Sequence, residues 1–345
     1  MGLRAEIREQ PAALARLLDH SASVMGEIRT AVHRQPPKFV VIAARGTSDN
    51  AALYAQYLFA VRNGIITALA TPSTITLYGA QPQMAEALVI GISQSGASPD
   101  IVAVIDEARR QGALTIALTN APESALAQAA AITVDIQAGP ERAIAATKTY
   151  TTELLAVALL STALKPATAQ ESADLCSVPE WVDEALTVEP LAQTLASGHA
   201  QRDHSIVLGR GFAYATAREW ALKLQELAQV SAFPFSAADF EHGPLALAEP
   251  GLPVLVVAPA GPPLDAQRHL LERLKAELGA RLLVVSNDDD ALRIDEGLPI
   301  PRGVSQWLSP LVEIIPAQLY TYYLTIARGL DPEAPRTITK VTETH

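Results

Sequence analysis

The sequence predicts an α/β fold built from two tandem units, each a parallel sheet flanked by helices in three layers. Three observations carry this expectation. Short apolar runs alternate with stretches of helical period from Lys38 to about Lys165, and the alternation restarts after Gly198. A strand–glycine–helix signature recurs, IAARG ending at Gly46 and VLGRG ending at Gly211, and the spacing of these two glycines defines a repeat interval. The length, 345 residues, suits two cores of ordinary size rather than one.

In chain order, residues 1–37 read as a helical arm. Leu14, Leu17 and Leu18 fall at i, i+3 and i+4, Val24, Ile28 and Val32 follow at steps of four, and Pro36-Pro37 closes the segment. The first unit spans 38–165, with FVVIAA, ITALA, ALVIGIS, LTIALTN and AITVDI as strands and 48–62, 98–111 and 146–164 as helices. Residues 166–198 form an acidic helical connector containing Pro166, Pro179 and Pro190. The second unit spans 199–332, with strands SIVLGRG, PVLVVAPA and RLLVVSN and helices over 212–230, 264–279 and about 310–328. Residues 333–345 form a tail whose β-branched Ile338, Thr339 and Val341 are unlike a disordered composition. Strands that alternate with helices imply sheets covered on both faces.

Composition excludes several classes of function. Apolar residues make up 49% and charged residues 18%, a balance that demands a buried core. The net charge of −11 (26 − 37) opposes nucleic-acid backbones and anionic membranes, so neither is an expected partner. Cys176 is the only cysteine, and no Cys/His cluster has zinc-ligand spacing. The charged start MGLRAEIREQ is not a signal peptide, and the expected compartment is the cytoplasm.

The chemistry-bearing residues fall at strand and helix ends. Gly46-Thr47-Ser48 and Ser93-Gln94-Ser95-Gly96-Ala97-Ser98 each follow an apolar strand and precede a helix, where hydroxyls and free backbone N–H groups suit a phosphate dianion. Singly, each hydroxyl also fits an ordinary helix N-cap, Ser98 before Pro99 above all. Ala146-Thr147-Lys148-Thr149 is a third polar patch, whereas the comparable stretch of the second unit, PVLVVAPAGPPLD, has no Ser or Thr. The first unit therefore reads as phosphate-binding and the second as a copy that lost the role. On helix 212–230, Glu219, Lys223 and Glu226 share one stripe, whose spacing alone favours a solvated face with a weak ion pair over acid–base chemistry. His242 lies in the turn FEHGP, where a lone histidine fits polar surface and can also serve as an acid or base. The protein has only six lysines against twenty arginines, so Lys340 in the tail draws notice: an amine forms an imine with a sugar carbonyl and a guanidinium does not.

The segments RGTSDNAALYAQY, ISQSGASPDIVAVIDEARRQGALTIALTN, AGPERAIAATKTYTTEL, GRGFAYATAREWALKLQELAQV, FEHGPLAL and PRTITKVTETH resemble, in order, the double-SIS-domain (sugar isomerase) phosphosugar isomerases and deaminases, including the isomerase half of glucosamine-6-phosphate synthase. The resemblance implies two flavodoxin-like SIS domains in a homodimer and no metal or other cofactor. It assigns phosphate binding to Ser48, Ser93, Gln94, Ser95 and Ser98, and sugar contacts to Gly46, Thr47, Ala145 and Thr147. Glu226 matches the carboxylate that moves a proton between C1 and C2, with Lys223 and Glu219 beside it. His242 matches the ring-opening residue, supplied across the dimer, and Lys340 the lysine of a tail that closes over the site. Ala97 departs from an acidic residue in the relatives, and Arg45 replaces a small one. With no glutaminase portion in the sequence ahead of the first unit, the expectation is deamination or isomerisation of a sugar phosphate. The leading expectation is glucosamine 6-phosphate and water to fructose 6-phosphate and ammonia. The alternatives are a phosphosugar aldose–ketose isomerase, a fructosamine-6-phosphate-type deglycase and, more distantly, a non-catalytic sugar-phosphate sensor.

Overall fold

A computed structural model describes residues 2–340, so the tail residues 341–345 lie outside the described part. The chain forms two parallel five-stranded sheets. The first contains β1 (Phe39–Ala43), β2 (Thr67–Leu69), β3 (Ala87–Ile92), β4 (Leu114–Thr119) and β5 (Ile132–Asp135) in the order β2-β1-β3-β4-β5. The second contains β6 (His204–Gly209), β7 (Ser231–Ser236), β8 (Pro253–Val257), β9 (Arg281–Ser286) and β10 (Glu296–Pro299) in the order β10-β9-β8-β6-β7. Counted within its own sheet, each unit has the strand order 2-1-3-4-5, the doubly wound arrangement of flavodoxin-like folds. Two tandem α/β units of this kind are what the alternating pattern predicts.

All strands read from the sequence are present. The two that the sequence reading left out, β7 and β10, both lie at sheet edges. Their residues explain why they are hard to read: β7 is SAFPFS, with Pro234 opposite Val207, and β10 is the short segment EGLP. Proline donates no ladder hydrogen bond and is tolerated at an edge. The central strands are the opposite case, since every residue of β3 and β4 is buried. Val89, Ile101, Val104, Ile105 and Leu126 pack on one face of the first sheet, and Leu208, Phe240, Val254, Leu271 and Val284 on one face of the second.

Two compact units result, and they do not follow chain order. The N-terminal sheet unit comprises Ala12–Glu141, Lys148–Cys176 and the residues from Thr339. The C-terminal sheet unit comprises the residues up to Pro11, Arg142–Thr147 and Ser177–Ile338. The expected arm is three helices, Leu3–Arg8, Gln10–His20 and Ala22–Arg34. The stretch after Pro166 contains helices Ala169–Ala185, with Pro179 inside it, and Glu189–Gly198.

Both units share a finer feature. The helix after β1, Thr47–Leu58, runs into a π-turn at Phe59–Asn63, and the helix after β6, Ala213–Lys223, into one at Leu224–Ala228. The first residues of the two π-turns, Phe59 and Leu224, are separated by the same interval as Gly46 and Gly211 (224 − 59 = 211 − 46). Each turn is closed by a left-handed residue, Gly64 at φ 68° and Gln229 at φ 53°.

Candidate active site

In the N-terminal sheet unit, β1 and β3 are neighbours, while β2 and β4 lie on opposite sides of them. This is the topological switch point, where the strand C-termini leave a crevice for a ligand. Both hydroxyl-rich loops open there: Arg45–Ser48 after β1 and Ser93–Ser98 after β3, each followed by a helix. The helix N-termini at Thr47 and Pro99 add partial positive charge and free N–H groups.

Within the second loop the hydroxyls shape the backbone. Ser93 Oγ accepts from the Gly96 amide at 3.2 Å and Ser95 Oγ from the Ala97 amide at 3.3 Å. Gly96 has φ +61°, and a Cβ there would lie 2.0 Å from Ser124 Oγ, so only glycine fits. The capping alternative is tested directly by Ser98. It stands at the N-cap of Pro99–Arg110, yet its side chain makes no capping bond, whereas Ser124 caps the next helix by accepting from the Ala127 amide. Buried Ser48 donates to Glu153 Oε1 at 2.8 Å. Gln94 and Ser95 are half-buried and Ser93 is buried.

Lys340 also belongs to this unit. Its ammonium donates to Glu141 Oε2 at 2.8 Å, and Glu141 accepts in addition from the Thr149 amide at 3.1 Å and hydroxyl at 2.7 Å. The Glu141 side chain is fully buried, so Lys340 is held by a carboxylate that water does not reach.

In the C-terminal sheet unit, Glu219, Lys223 and Glu226 do meet. Lys223 Nζ lies 2.5 Å from Glu226 Oε2 and 3.4 Å from Glu219 Oε1. The solvated-face alternative is excluded, because the Glu219 and Lys223 side chains are 0% and 2% exposed. Burial pulls the Lys223 pKa down, but the two carboxylates outweigh it and the amine is held above its ordinary value. Glu226 is the reachable member of the three, with its side chain 24% exposed at the π-turn. Such turns interrupt the α-helical ladder and recur at functional sites.

Ala145 and Thr147 lie in Arg142–Thr147 of the same unit, and both are buried. This stretch is pinned by the buried Glu6, whose Oε1 accepts from the Arg142 amide at 2.6 Å and Oε2 from the Ala143 amide at 3.2 Å. His242 follows the short helix Ala237–Glu241 and is exposed, and its ring makes no hydrogen bond to Glu219, Lys223 or Glu226. Among the described residues no group of three or more His, Cys, Asp or Glu is placed to hold a metal. Sequence reading missed Glu6, Glu141 and Glu153, whose roles arise from partners far away in the chain. The one visible signal was an acid directly before the stretch that leads to Thr147.

A 2-1-3-4-5 sheet with hydroxyl-lined loops at its switch point defines a doubly wound α/β protein of the flavodoxin-like kind. Within that class the chain belongs to the SIS domain family, whose model matches residues 35–163 and 200–328. It is 32% identical over 97% of its length to a glutamine–fructose-6-phosphate aminotransferase (isomerizing) of Thermococcus kodakarensis, and spans 56% of that relative. Among solved structures, a Silicibacter pomeroyi protein described as a phosphosugar isomerase superposes with TM-score 0.85 and 34% identity, covering 96% of this chain and 99% of that one. The C-terminal domain of glucosamine-fructose-6-phosphate aminotransferase from Francisella tularensis superposes with TM-score 0.86 and 26% identity, covering 96% and 97%. No helix among the described residues is long and apolar enough to cross a membrane.

Proposed function

We propose that the chain converts glucosamine 6-phosphate and water to fructose 6-phosphate and ammonia. The observation that carries this reading is the buried Lys223 that holds the partly exposed Glu226 at 2.5 Å. A buried cation fixed beside a reachable carboxylate orients it for proton transfer.

Ser93, Gln94, Ser95 and Ser98, with Ser48 and the two helix N-termini, hold the phosphate and so orient the reacting carbons. For Ser48 to donate to the phosphate, its proton turns away from Glu153. The sugar lies against Gly46 and Thr47, beside the phosphate loops. His242, from a second copy of the chain in a homodimer, passes a proton to the ring oxygen and opens the pyranose. Glu226 takes the proton from C2 and returns it to C1, which leaves an imine at C2 and a hydroxymethyl group at C1. Water adds to the imine carbon and ammonia departs, giving the ketose. Lys340 holds the open-chain oxygen atoms.

A plain aldose–ketose isomerase is the second reading, favoured by the description of the Silicibacter pomeroyi relative. It uses the same proton transfer on a C2 hydroxyl. The assay that separates them offers glucosamine 6-phosphate and measures ammonia and fructose 6-phosphate together. Stoichiometric release that is absent from Glu226→Gln supports deamination. No ammonia, with interconversion of an aldose and a ketose phosphate, replaces it with isomerisation.

A further inference from the structure

Among the residues assigned to the phosphate, none is cationic, yet a guanidinium paired with a carboxylate stands at the switch point and the family assignment leaves it out. Arg45 lies between β1 and Gly46, and Asp100 lies in the first turn of the helix after β3. Arg45 Nε and Nη2 both lie 2.7 Å from Asp100 Oδ2, so the ion pair joins the first loop to the helix that follows the second. The two partners differ in exposure: the Asp100 side chain is 3% exposed and that of Arg45 48%. Asp100 Oδ1 is occupied by the Ile101 amide at 2.9 Å, which fixes the carboxylate. The guanidinium is therefore anchored along one edge, while its Nη1 has no protein partner among the described residues.

The duplication supplies a control within the molecule. Arg210 and Asp265 stand one repeat interval after Arg45 and Asp100 (210 − 45 = 265 − 100), at the matching strand end and helix start. There, among the described residues, the two form no ion pair, and Asp265 is exposed. The same residue types at the same places are thus joined only in the unit whose loops carry the hydroxyls.

We propose that Arg45 is a ligand of the substrate's phosphate, aimed by Asp100. This deepens the phosphosugar reading and rests on it. A guanidinium presents paired N–H donors to a dianion, and a charge-assisted bond strengthens binding where hydroxyls alone give only neutral donors.

The test is calorimetric binding of inorganic phosphate, fructose 6-phosphate and fructose to the full chain, which reads affinity without turnover. Arg45→Met is expected to weaken both phosphate-bearing probes about tenfold or more. Arg45→Lys is expected to restore part of the loss, and Arg210→Met to bind both as the wild type does. Arg45→Met leaves the buried Asp100 carboxylate without its cation, so a thermal melt is run beside the titration, and Arg45→Met/Asp100→Asn, which removes both charges, is expected to recover the melt but not the affinity. Unchanged affinity in Arg45→Met, or an equal loss in Arg210→Met, overturns the role of Arg45 while leaving the phosphosugar reading in place. Wild-type protein that binds fructose 6-phosphate no better than fructose overturns both.

Discussion

The same helix occurs twice in this molecule with two different contents. In the N-terminal unit, Thr47–Leu58 and its π-turn carry Tyr54, Leu58 and Val61 along one stripe. At the positions one repeat interval later, Ala213–Lys223 and its π-turn carry Glu219, Lys223 and Glu226. Backbone geometry is shared down to the left-handed closing residue, so the π-turn is a property of the fold and the carboxylates are an addition to it. The loops show the reverse division, with hydroxyls after β3 and prolines after β8. On the proposed reading, duplication has let each unit specialise, one in holding an anion and the other in moving a proton.

The largest expected effect comes from removing what the C-terminal helix added. Glu226→Gln should lower kcat by roughly two to four orders of magnitude, because an amide cannot accept the proton, while the chain still unfolds at the wild-type denaturant concentration. A rate within threefold of wild type would assign the chemistry elsewhere.

Lys223→Met brings this helix closer to its apolar counterpart, yet it should cost about 3–5 kcal/mol in urea unfolding, since Glu219 is left buried without its cation. Adding Glu219→Gln to the same variant should recover part of that loss. A stable single variant would mean that the acid–lysine–acid cluster is not a buried ionic unit.

A third contrast lies on the long helices that pack against this pair. Lys148 and Glu313 are both buried and are repeat equivalents, since their separation (313 − 148) equals that of Gly46 and Gly211. Burial raises the Glu313 pKa to about 7, although Thr216 Oγ1 donates to it at 2.9 Å. The folded carboxyl binds its proton more tightly than the unfolded one, so stability is greatest below the ordinary value of 4.5 and is lost as pH rises through about 7. Glu313→Gln should remove this slope, a difference on the order of 3 kcal/mol across that window, measured as unfolding free energy against pH. Parallel profiles for the variant and the wild type would place the titration on another group.

The smallest effect probes the shared turn itself. Gln229 occupies the left-handed position that Gly64 fills in the other unit, at a cost a glycine avoids. Gln229→Gly should change the melting free energy by no more than about 1 kcal/mol, because it relieves the backbone but gives up the Arg336 contact. A loss of several kcal/mol would show that the two turns are not equivalent.

Much of this was legible beforehand for a physical reason. A central parallel strand is buried on both faces, so β1, β3, β4, β6, β8 and β9 advertise themselves as apolar runs. The hydroxyl-rich loops were legible because they sit where such runs stop. An edge needs neither continuous burial nor a full ladder of donors, so its legibility depends on its own residues: β2 and β5 keep apolar runs, whereas β7 is broken by Pro234 and β10 is the short polar-led segment EGLP. Glu6, Glu141 and Glu153 were invisible because their partners, Arg142, Lys340 and Ser48, are separated from them by 136, 199 and 105 residues.

The sequence by itself determined that there are two units of one kind, which loops carry the hydroxyls suited to a phosphate, and which helix carries the acids and the lysine. These are local matters of period, composition and chain order. Only the tertiary structure decided which of those residues are paired and which are dry. Lys223 reads as a surface lysine until packing removes its water. Arg45 and Arg210 occupy equivalent positions in the chain, and the difference between them is an ion pair that forms only where folding buries the aspartate. Burial sets the strength of a charge's interactions, and burial belongs to the assembled fold rather than to any segment of it.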